Sequence, residues 1–176
     1  VSVDIIQAAI NKAKYVIAQI NPHMPRTNGH SFVHVNQIHA HMTVKQYLPE
    51  TPLPEVDRVT EQVGQYVAML VENGATIQIG IGNIPSAVLR YLANHKDLGV
   101  HSELISDGII DLMLSGVINN RKKTFHKGKT VVSFCVGTRR LYKFVDSNPH
   151  VAFYPSEHVN SPVNIARNDN MVSINS

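Results

Sequence analysis

The chain has 176 residues, a formal charge of +3 at pH 7, ten histidines, and 43% apolar against 16% charged residues. This balance is typical of a globular protein and excludes a disordered one, and the length suffices for one core or parts of two domains. No apolar run approaches the roughly 20 residues of a membrane span, and sparse aromatics with scattered basic residues argue against nucleic acid. The single cysteine, Cys135, excludes an internal disulfide and favours a reducing, cytoplasmic compartment.

The two ends of the sequence look internal to a longer protein. The chain begins without methionine, and it stops at Ser176, just after an apparent strand. We therefore expect a piece of a larger polypeptide.

The first third of the chain predicts one helix, one short strand and a linker. Apolar residues at helical spacing predict an amphipathic helix over Val3–Ile20 with Ser2 as its N-cap. The prolines of residues 21–25 should end it, and a short strand is expected over Ser31–Asn36. Prolines crowd Leu48–Pro54, which predicts a linker between domains.

From Glu55 onward, helical and strand patterns alternate. An apolar stripe predicts a helix that ends at Asn73–Gly74, where glycine suits a left-handed cap. Alternating strands and helices indicate βαβ units around a mostly parallel sheet. The further predicted strands are 76–80, Val100–Ile105, Thr130–Cys135, Val151–Tyr154 and Met171–Ile174, and the further predicted helices are Ser86–Asn94, Ile109–Leu114 and Arg139–Val145.

The segment Gly80-Ile81-Gly82-Asn83-Ile84-Pro85 is the first candidate for a binding site. It follows a strand and leads into a helix, and its glycines allow the backbone to approach a ligand closely. Proline is favoured in the first helical turn, and a helix start offers free backbone N–H groups to an anion. The pattern therefore predicts a loop that cradles a ligand.

A dinucleotide-binding fold is one interpretation of this loop. Gly80-x-Gly82 after a strand, with Glu103 about twenty residues further on, approaches the NAD fingerprint. The third glycine of that fingerprint is missing, because Pro85 and the following helix contain none. NAD binding is therefore the second-ranked alternative.

Glu103 lies at the end of the next predicted strand, just before Asp107-Gly108, which predicts a turn that holds it in place. A carboxylate beside an anion-binding loop can attack a thioester carbonyl as a nucleophile. Spacing alone favours the alternative, a surface glutamate at a strand end, so the residues by themselves do not establish a nucleophile.

Three segments carry a resemblance to a known family. GATIQIGIGNIPSAVL, HKDLGVHSELISDGIIDLMLSGVI and VNIARNDNMVSINS resemble the acetyl-CoA hydrolase/transferase family, a group of class I CoA-transferases. Within it, the chain is most similar to the branch of 4-hydroxybutyrate and butyrate:acetate CoA-transferases. The resemblance runs through nearly the whole chain, including NPHMPRTNG near its start.

The resemblance implies an α/β fold with a three-layer, parallel-sheet CoA-transferase-like scaffold. It implies Glu103 as the catalytic glutamate that forms a glutamyl-CoA thioester, and Asn160 as a looser match to an oxyanion-hole asparagine. The implied coenzyme A-binding loop consists of Gly80, Ile81, Gly82, Asn83 and Ile84. A second oxyanion loop and most of the N-terminal half would lie outside this chain, so we expect the chain alone to be inactive.

The implied activity moves coenzyme A between a short-chain acyl-CoA and a carboxylate such as acetate. Residues 1–50 would complete the N-terminal domain and linker, and residues 51–176 would begin the C-terminal catalytic domain. Coenzyme A enters as acyl-CoA substrate, no metal is expected, and assembly into a homo-oligomer is left open. The alternatives are hydrolysis of acetyl-CoA within the same family, an NAD-binding oxidoreductase, and a non-catalytic acyl-CoA-binding domain.

Other candidates are weaker. The nearby histidines 30, 34, 39 and 41 suggest a metal, but no cysteine or carboxylate pattern completes a site. Cys135 closes an apolar strand and is expected to be a core residue. The basic residues of 121–129 could meet phosphates, but such a run predicts a solvated loop. Arg139 and Arg140 open a predicted helix, and spacing gives them no phosphate role.

Overall fold

A computed structural model describes residues 1–52 and 55–175. Within these ranges no helix is both long enough and apolar enough to cross a membrane. The described strands are β1 Ile17–Ile20, β2 Asn28–Gly29, β3 Ala40–Thr43, β4 Thr76–Ile79, β5 Gly99–Val100, β6 Leu104–Ile105, β7 Thr130–Val132, β8 Phe134–Cys135, β9 Val151–Phe153 and β10 Met171–Ile174. The described helices are α1 Ile6–Lys12, α2 Arg58–Ala68, α3 Asn83–Tyr91, α4 Asp107–Leu114, α5 Arg139–Val145, α6 Ser156–Val159 and α7 Pro162–Ile165.

The expected α/β fold with parallel sheets is confirmed. Strands pair in parallel in the order β10-β4-β5 and in the order β2-β9-β7. A parallel bridge between His101 and Val131 joins the β5 edge to the β7 edge. Parallel strands align their carboxyl ends, so the loops that follow β4, β5 and β9 emerge on one edge.

The core lies where this sheet meets the helices. Ile77, Val100, Val132 and Phe153 are fully buried on neighbouring strands and belong to one apolar cluster. Parallel strands are covered on both faces, which explains their nearly continuous apolar sequence. The predicted strands and helices between residues 76 and 174 are present, with ends shifted by a few residues.

The strands predicted over Val100–Ile105 and Thr130–Cys135 are each interrupted. The first divides into β5 and β6, and the second into β7 and β8. The segments 99–105 and 130–135 nevertheless stay aligned with each other, since His101 bridges Val131 and Leu104 pairs with Phe134. The pairing of β4 with β5, in contrast, ends at Val100. The strand therefore separates from β4 just before Glu103.

The long helix predicted over Val3–Ile20 is wrong in its second half, and so is its cap. The helix ends at Lys12 because Ala13 is extended, and residues 17–20 form β1 beside β3. Ser2 forms an antiparallel bridge with Phe134, and Ile5 occupies the N-cap position. Isoleucines spaced three or four apart fit a helix, but the parallel partner strand decided the conformation.

The next predictions also need correction. The strand expected over Ser31–Asn36 is absent from that range, where a 3-10 turn spans Val35–Gln37, and β2 lies earlier in the chain. The linker expected over Leu48–Pro54 has no regular structure up to Pro52, and Leu53 and Pro54 lie outside the described residues.

Helix α2 begins after Asp57, whose carboxylate accepts a hydrogen bond from Thr60 N, and it ends earlier than predicted. Gly74 has a left-handed φ of 82° but lies six residues past Ala68, and its N–H donates to Lys96 O. Asp107 and Gly108, predicted as a turn, are the first two residues of α4.

Helix α2 packs through its small residues. Gly64 and Ala68 are buried against α3, whereas Val59 and Leu70 of the apolar stripe are 69% and 78% exposed. A Cβ at Gly64 would lie 2.6 Å from Ala87 Cβ and 2.9 Å from the Ala87 carbonyl carbon. The absence of a side chain at Gly64 therefore sets the separation of the two helices.

We predict that Gly64→Ala destabilises the fold. Alanine improves helix propensity by about 0.5–1 kcal/mol, but overpacking against the α3 backbone costs about 1–3 kcal/mol, and the clash should dominate. Urea unfolding of the chain measures the difference. Gln65→Ala at the exposed neighbouring position is the control and should leave the midpoint unchanged or slightly raised; equal midpoints for both variants would contradict the packing argument.

Candidate functional site

Three segments of interest leave the sheet at its carboxyl edge. The glycine loop follows β4, Glu103 lies between β5 and β6, and the segment with Asn160 follows β9. These strands lie within four consecutive positions of the sheet, in the order β4-β5-β7-β9. The sheet order therefore directs residues that are far apart in sequence to one side of the molecule.

The glycine loop has the geometry of an open helix start. Gly82 is the N-cap of α3 with φ 140°, a left-handed conformation that glycine tolerates without strain. None of the described side chains caps this end, and Ser86 donates its N–H and its hydroxyl to Gly82 O at 3.3 and 2.8 Å. Pro85 is buried in the first turn, as predicted for this residue type. Within the described residues the helix start therefore carries no side-chain cap.

A cavity of about 310 Å³ opens beside this loop. Four of the five predicted loop residues, Gly80, Ile81, Gly82 and Asn83, line it. Ile84 does not, since its side chain packs against the core. The other lining residues are Thr51, Pro52, Ile79, Ser86, Leu104, Ser106, Asp107, Val136 and Gly137.

Glu103 is exposed in the bend between β5 and β6. Its carbonyl oxygen accepts hydrogen bonds from Ser133 N at 2.9 Å and Phe134 N at 3.0 Å, so its backbone is fixed from the β7–β8 side. Its carboxylate makes no hydrogen bond or ion pair within residues 1–52 and 55–175. Glu103 itself is not among the residues that line the cavity, although the next residue, Leu104, is.

Asn160 is exposed at the C-terminal end of α6. Its N–H donates to Ser156 O at 2.8 Å, and its side chain has no partner among the described residues. The cavity beside the glycine loop does not include it. The structure thus places Asn160 on the same sheet edge as Glu103, with no hydrogen bond between the two residues.

Asp107 and Gly137 form a wall of the cavity that was not predicted from the sequence. Asp107 is buried, and its carboxylate accepts hydrogen bonds from Thr138 N at 2.8 Å and Thr138 Oγ1 at 2.6 Å. Thr138 caps α5 by accepting from Arg140 N at 3.2 Å. A Cβ at Gly137 would collide with the Asp107 carboxylate. These residues join the starts of α4 and α5, and thirty-one positions separate Asp107 from Thr138, so no local signal reveals the pair.

Thr51 and Pro52 of the predicted linker also line the cavity. Thr51 N donates to Gly137 O at 3.0 Å, and Tyr142 donates its hydroxyl to Pro49 O at 2.8 Å. Glu50 accepts from Arg139 N at 2.8 Å and pairs with its guanidinium at 3.3 Å. Arg139 and Arg140 are therefore both engaged in protein contacts, Arg140 with Asp111. Residues 49–51 of the linker are thus held to Gly137 and to α5.

The basic segment 121–129 is not solvated throughout, which corrects the prediction. Lys123 is buried and donates to Val100 O and Lys129 O, each at 2.7 Å. Burial lowers the pKa of Lys123 from 10.5 to about 7. In the described part of the chain no group of three or more histidine, cysteine or acidic side chains is arranged to hold a metal ion.

A histidine cluster lies beside Lys123. His126 Nε2 and His158 Nε2 are 2.9 Å apart, so one ring donates to the other, and Tyr154 stacks on His158. Burial lowers the pKa of His101 to about 4 and of His126 to about 4, and it also lowers the pKa of His158.

The remaining candidate, Cys135, is fully buried, which confirms the prediction of a core residue. Burial raises the pKa of its thiol to about 11, so the thiol is protonated at neutral pH.

Comparison with known proteins gives consistent results. The family model of the acetyl-CoA hydrolase/transferase C-terminal domain matches residues 137–176. The chain is 51% identical over its whole length to 4-hydroxybutyrate coenzyme A transferase of Clostridium kluyveri, and 32% identical over 97% of its length to butyryl-CoA:acetate CoA-transferase of Anaerostipes caccae. It covers 41% and 40% of these two proteins, so it spans about two fifths of the curated relatives it matches.

Solved structures agree with the sequence relatives. The crystal structure of 4-hydroxybutyrate CoA-transferase from Porphyromonas gingivalis matches 99% of the chain with a TM-score of 0.95 and 40% identity. RipA from Yersinia pestis matches 98% with a TM-score of 0.93 and 32% identity. The chain covers 45% and 40% of those structures.

The parallel sheet and the helices around it are thus those of the CoA-transferase class of α/β proteins. On the matched segments and relatives together, the chain belongs to the acetyl-CoA hydrolase/transferase family.

We predict that Asp107→Asn destabilises the chain by about 1–3 kcal/mol, because a buried carboxylate that accepts two hydrogen bonds loses part of both. Asp111→Asn is the matched control: it lies on the same helix and also contacts the start of α5, but its ion pair with Arg140 is exposed. That change should cost less than about 1 kcal/mol. Urea unfolding measures both, and an equal loss for the two variants would refute the assignment.

We predict that the chain loses stability as the pH falls from 7 to 4. The folded state keeps His101, His126 and His158 neutral below their unfolded pKa of 6.5, so the unfolded state binds more protons in this window. Urea unfolding at pH 7 and pH 5 measures the change. Asparagine tolerates the positive φ of 53° at position 126, so His126→Asn should fold and should reduce the difference in stability between pH 7 and pH 5. An unchanged difference would show that His126 does not contribute to it.

Proposed function

We propose that the polypeptide carrying this chain transfers coenzyme A between a short-chain acyl-CoA, such as acetyl-, butyryl- or 4-hydroxybutyryl-CoA, and a carboxylate such as acetate. The observation that carries the proposal is the position of Glu103. It is an exposed carboxylate where the strand separates from β4, beside the strand that leads into the glycine loop. The names of relatives such as those from Clostridium kluyveri and Anaerostipes caccae support the same activity.

Glu103 would act as the nucleophile in a ping-pong reaction. Its carboxylate attacks the thioester carbonyl, the C–S bond breaks, and coenzyme A leaves as a thiolate from a glutamyl mixed anhydride. The thiolate then attacks the glutamyl carbonyl, which releases the first carboxylate and leaves a glutamyl-CoA thioester. A second carboxylate takes coenzyme A by the same steps in reverse. One oxygen of Glu103 therefore leaves with the first product.

The glycine loop and Asn160 would stabilise the charge that develops in these steps. Backbone N–H groups at an uncapped helix start and a side-chain amide are the donors that suit an oxyanion. In this proposal Gly80, Ile81, Gly82 and Asn83 meet coenzyme A or its acyl group at the cavity they line, and Ile84 supports the loop from the core side. Asn160 contributes its amide from the C-terminal end of α6, which follows β9.

The proposed division at residue 50 makes the first part of the chain the end of one domain and the rest the start of a second. Contacts cross this division: β2 pairs with β9, and Val3 N donates to Ser133 O at 2.9 Å. In the proposal these contacts belong to an interface between domains that also carries the cavity wall at Thr51 and Pro52.

Glu103→Gln tests the proposal in the full-length natural polypeptide that carries this sequence. An amide is not a nucleophile toward a thioester, so transfer should fall on the order of 10³-fold or more while coenzyme A still binds. Glu72→Gln is the control, because Glu72 is also exposed but precedes β4 at the opposite end of the strand. Transfer assays and coenzyme A titration measure both, and a Glu103→Gln variant that keeps most of its rate would end the nucleophile proposal.

A trapping experiment separates the alternatives. After incubation with acetyl-CoA or butyryl-CoA, borohydride reduces a glutamyl thioester to an alcohol, and mass spectrometry identifies the peptide that holds Glu103. A reduced Glu103 supports transfer. An unmodified peptide with free coenzyme A accumulating favours hydrolysis by directly activated water. An unmodified peptide without turnover, together with saturable NADH binding, would favour a dinucleotide-binding domain.

A further inference from the structure

The two residues before Glu103 are buried, although Glu103 is exposed. His101 is 1% exposed and Ser102 is fully buried, and both side chains are polar. Buried polar groups are costly unless they form hydrogen bonds, so each of these side chains needs a structural reason. Their partners lie at the bases of the two other candidate segments.

The Ser102 hydroxyl replaces a backbone hydrogen bond that is missing between β4 and the strand of residues 99–105. Gly99 N donates to Ala75 O and His101 N donates to Ile77 O. The next hydrogen bond in this pattern would run from the N–H of residue 103 to Ile79 O. At Ile79 the Ser102 hydroxyl takes over: it donates to Ile79 O at 2.9 Å and accepts from Ile79 N at 3.1 Å. One hydroxyl thus satisfies both backbone groups of the residue that immediately precedes Gly80.

His101 makes the equivalent connection on the other side. Its Nε2 lies 2.8 Å from Val159 O, and because a carbonyl only accepts, Nε2 carries the proton. The other ring nitrogen, Nδ1, is buried and has no partner in the described residues. Val159 is the last residue of α6 and immediately precedes Asn160.

We propose that His101 and Ser102 are positioning residues, which hold Asn160 and the glycine loop in register with Glu103. This inference rests on the proposed function. Each acts one residue away from the group it positions, through Val159 for Asn160 and through Ile79 for Gly80. Neither side chain is exposed, so neither is proposed to touch substrate. Transfer depends on the relative placement of nucleophile and oxyanion donors, and a misplacement of about 1 Å can cost on the order of 10²-fold in rate.

The chain offers a matched control for Ser102. Ser133 is also fully buried, and its hydroxyl has no hydrogen-bond partner in the described part of the chain. Ser102→Ala and Ser133→Ala therefore remove the same atoms from similar depth, but only the first breaks hydrogen bonds. Ser102→Thr retains the hydroxyl and tests for rescue.

A matched control exists for His101 as well. His95 Nε2 lies 2.9 Å from Val71 O, and its Nδ1 is likewise buried without a partner in the described residues. His95 follows α3 and precedes β5, away from the carboxyl edge of the sheet. His101→Leu and His95→Leu each lose one ring-to-carbonyl bond, and His101→Gln restores a donor.

The experiment measures kcat and KM for transfer in the full-length polypeptide, with coenzyme A binding and unfolding midpoints measured in parallel. We expect Ser102→Ala and His101→Leu to lower kcat about ten- to a hundredfold while coenzyme A binding changes little. Ser133→Ala and His95→Leu should keep kcat within about twofold, and Ser102→Thr and His101→Gln should recover part of the loss.

Two results would overturn the inference. One is a kcat of Ser102→Ala equal to that of Ser133→Ala; the other is a loss in His101→Leu that is matched in His95→Leu and not recovered by glutamine. If Ser102→Ala does not fold, the His101 set decides the question. If Glu103→Gln loses transfer while the His101 and Ser102 variants keep normal rates, only the positioning inference is refuted. If Glu103→Gln stays active, the proposed function is refuted.

Discussion

The rest of the candidate site depends on where the strand of residues 99–105 separates from β4. The strand stays aligned with residues 130–135, but its ladder to β4 ends after Val100. Backbone groups inside a protein require partners, and the Ser102 hydroxyl supplies those of Ile79. The bend that results leaves Glu103 exposed while its neighbours remain buried. A polar side chain thus makes an irregular strand compatible with a buried sheet.

The cavity beside the glycine loop shows how a parallel sheet collects distant residues. Thr51, Gly80, Asp107 and Gly137 come from four different segments of the chain, and all four line the same cavity. Asp107 stabilises this arrangement, because its carboxylate binds both the N–H and the hydroxyl of Thr138. The close approach requires a glycine at 137. The wall therefore depends on contacts between the starts of α4 and α5, which no single segment of sequence predicts.

Prediction from sequence succeeded where burial and periodicity agree. Between β4 and β10 the apolar runs are short, bounded by turn residues and buried on both faces, so strands and helices were recognisable. It failed over Ile17–Ile20, where the isoleucine spacing fits a helix but β3 provides a parallel partner. It also failed for Lys123, since its charge predicts exposure and only the tertiary fold supplies the two carbonyls that bind it. In both cases a partner distant in sequence outweighed the local preference.

The sequence by itself determined the glycine loop, the glutamate at the end of the next strand and the family to which both motifs belong. These are local features, because a loop conformation and a strand end depend on neighbouring residues. The tertiary structure alone decided that His101 contacts Val159, fifty-eight positions away, and that Ser102 contacts Ile79. Such contacts follow from the order of strands in the sheet. That order is set by burial of apolar surface over the whole chain, which no short stretch of sequence contains.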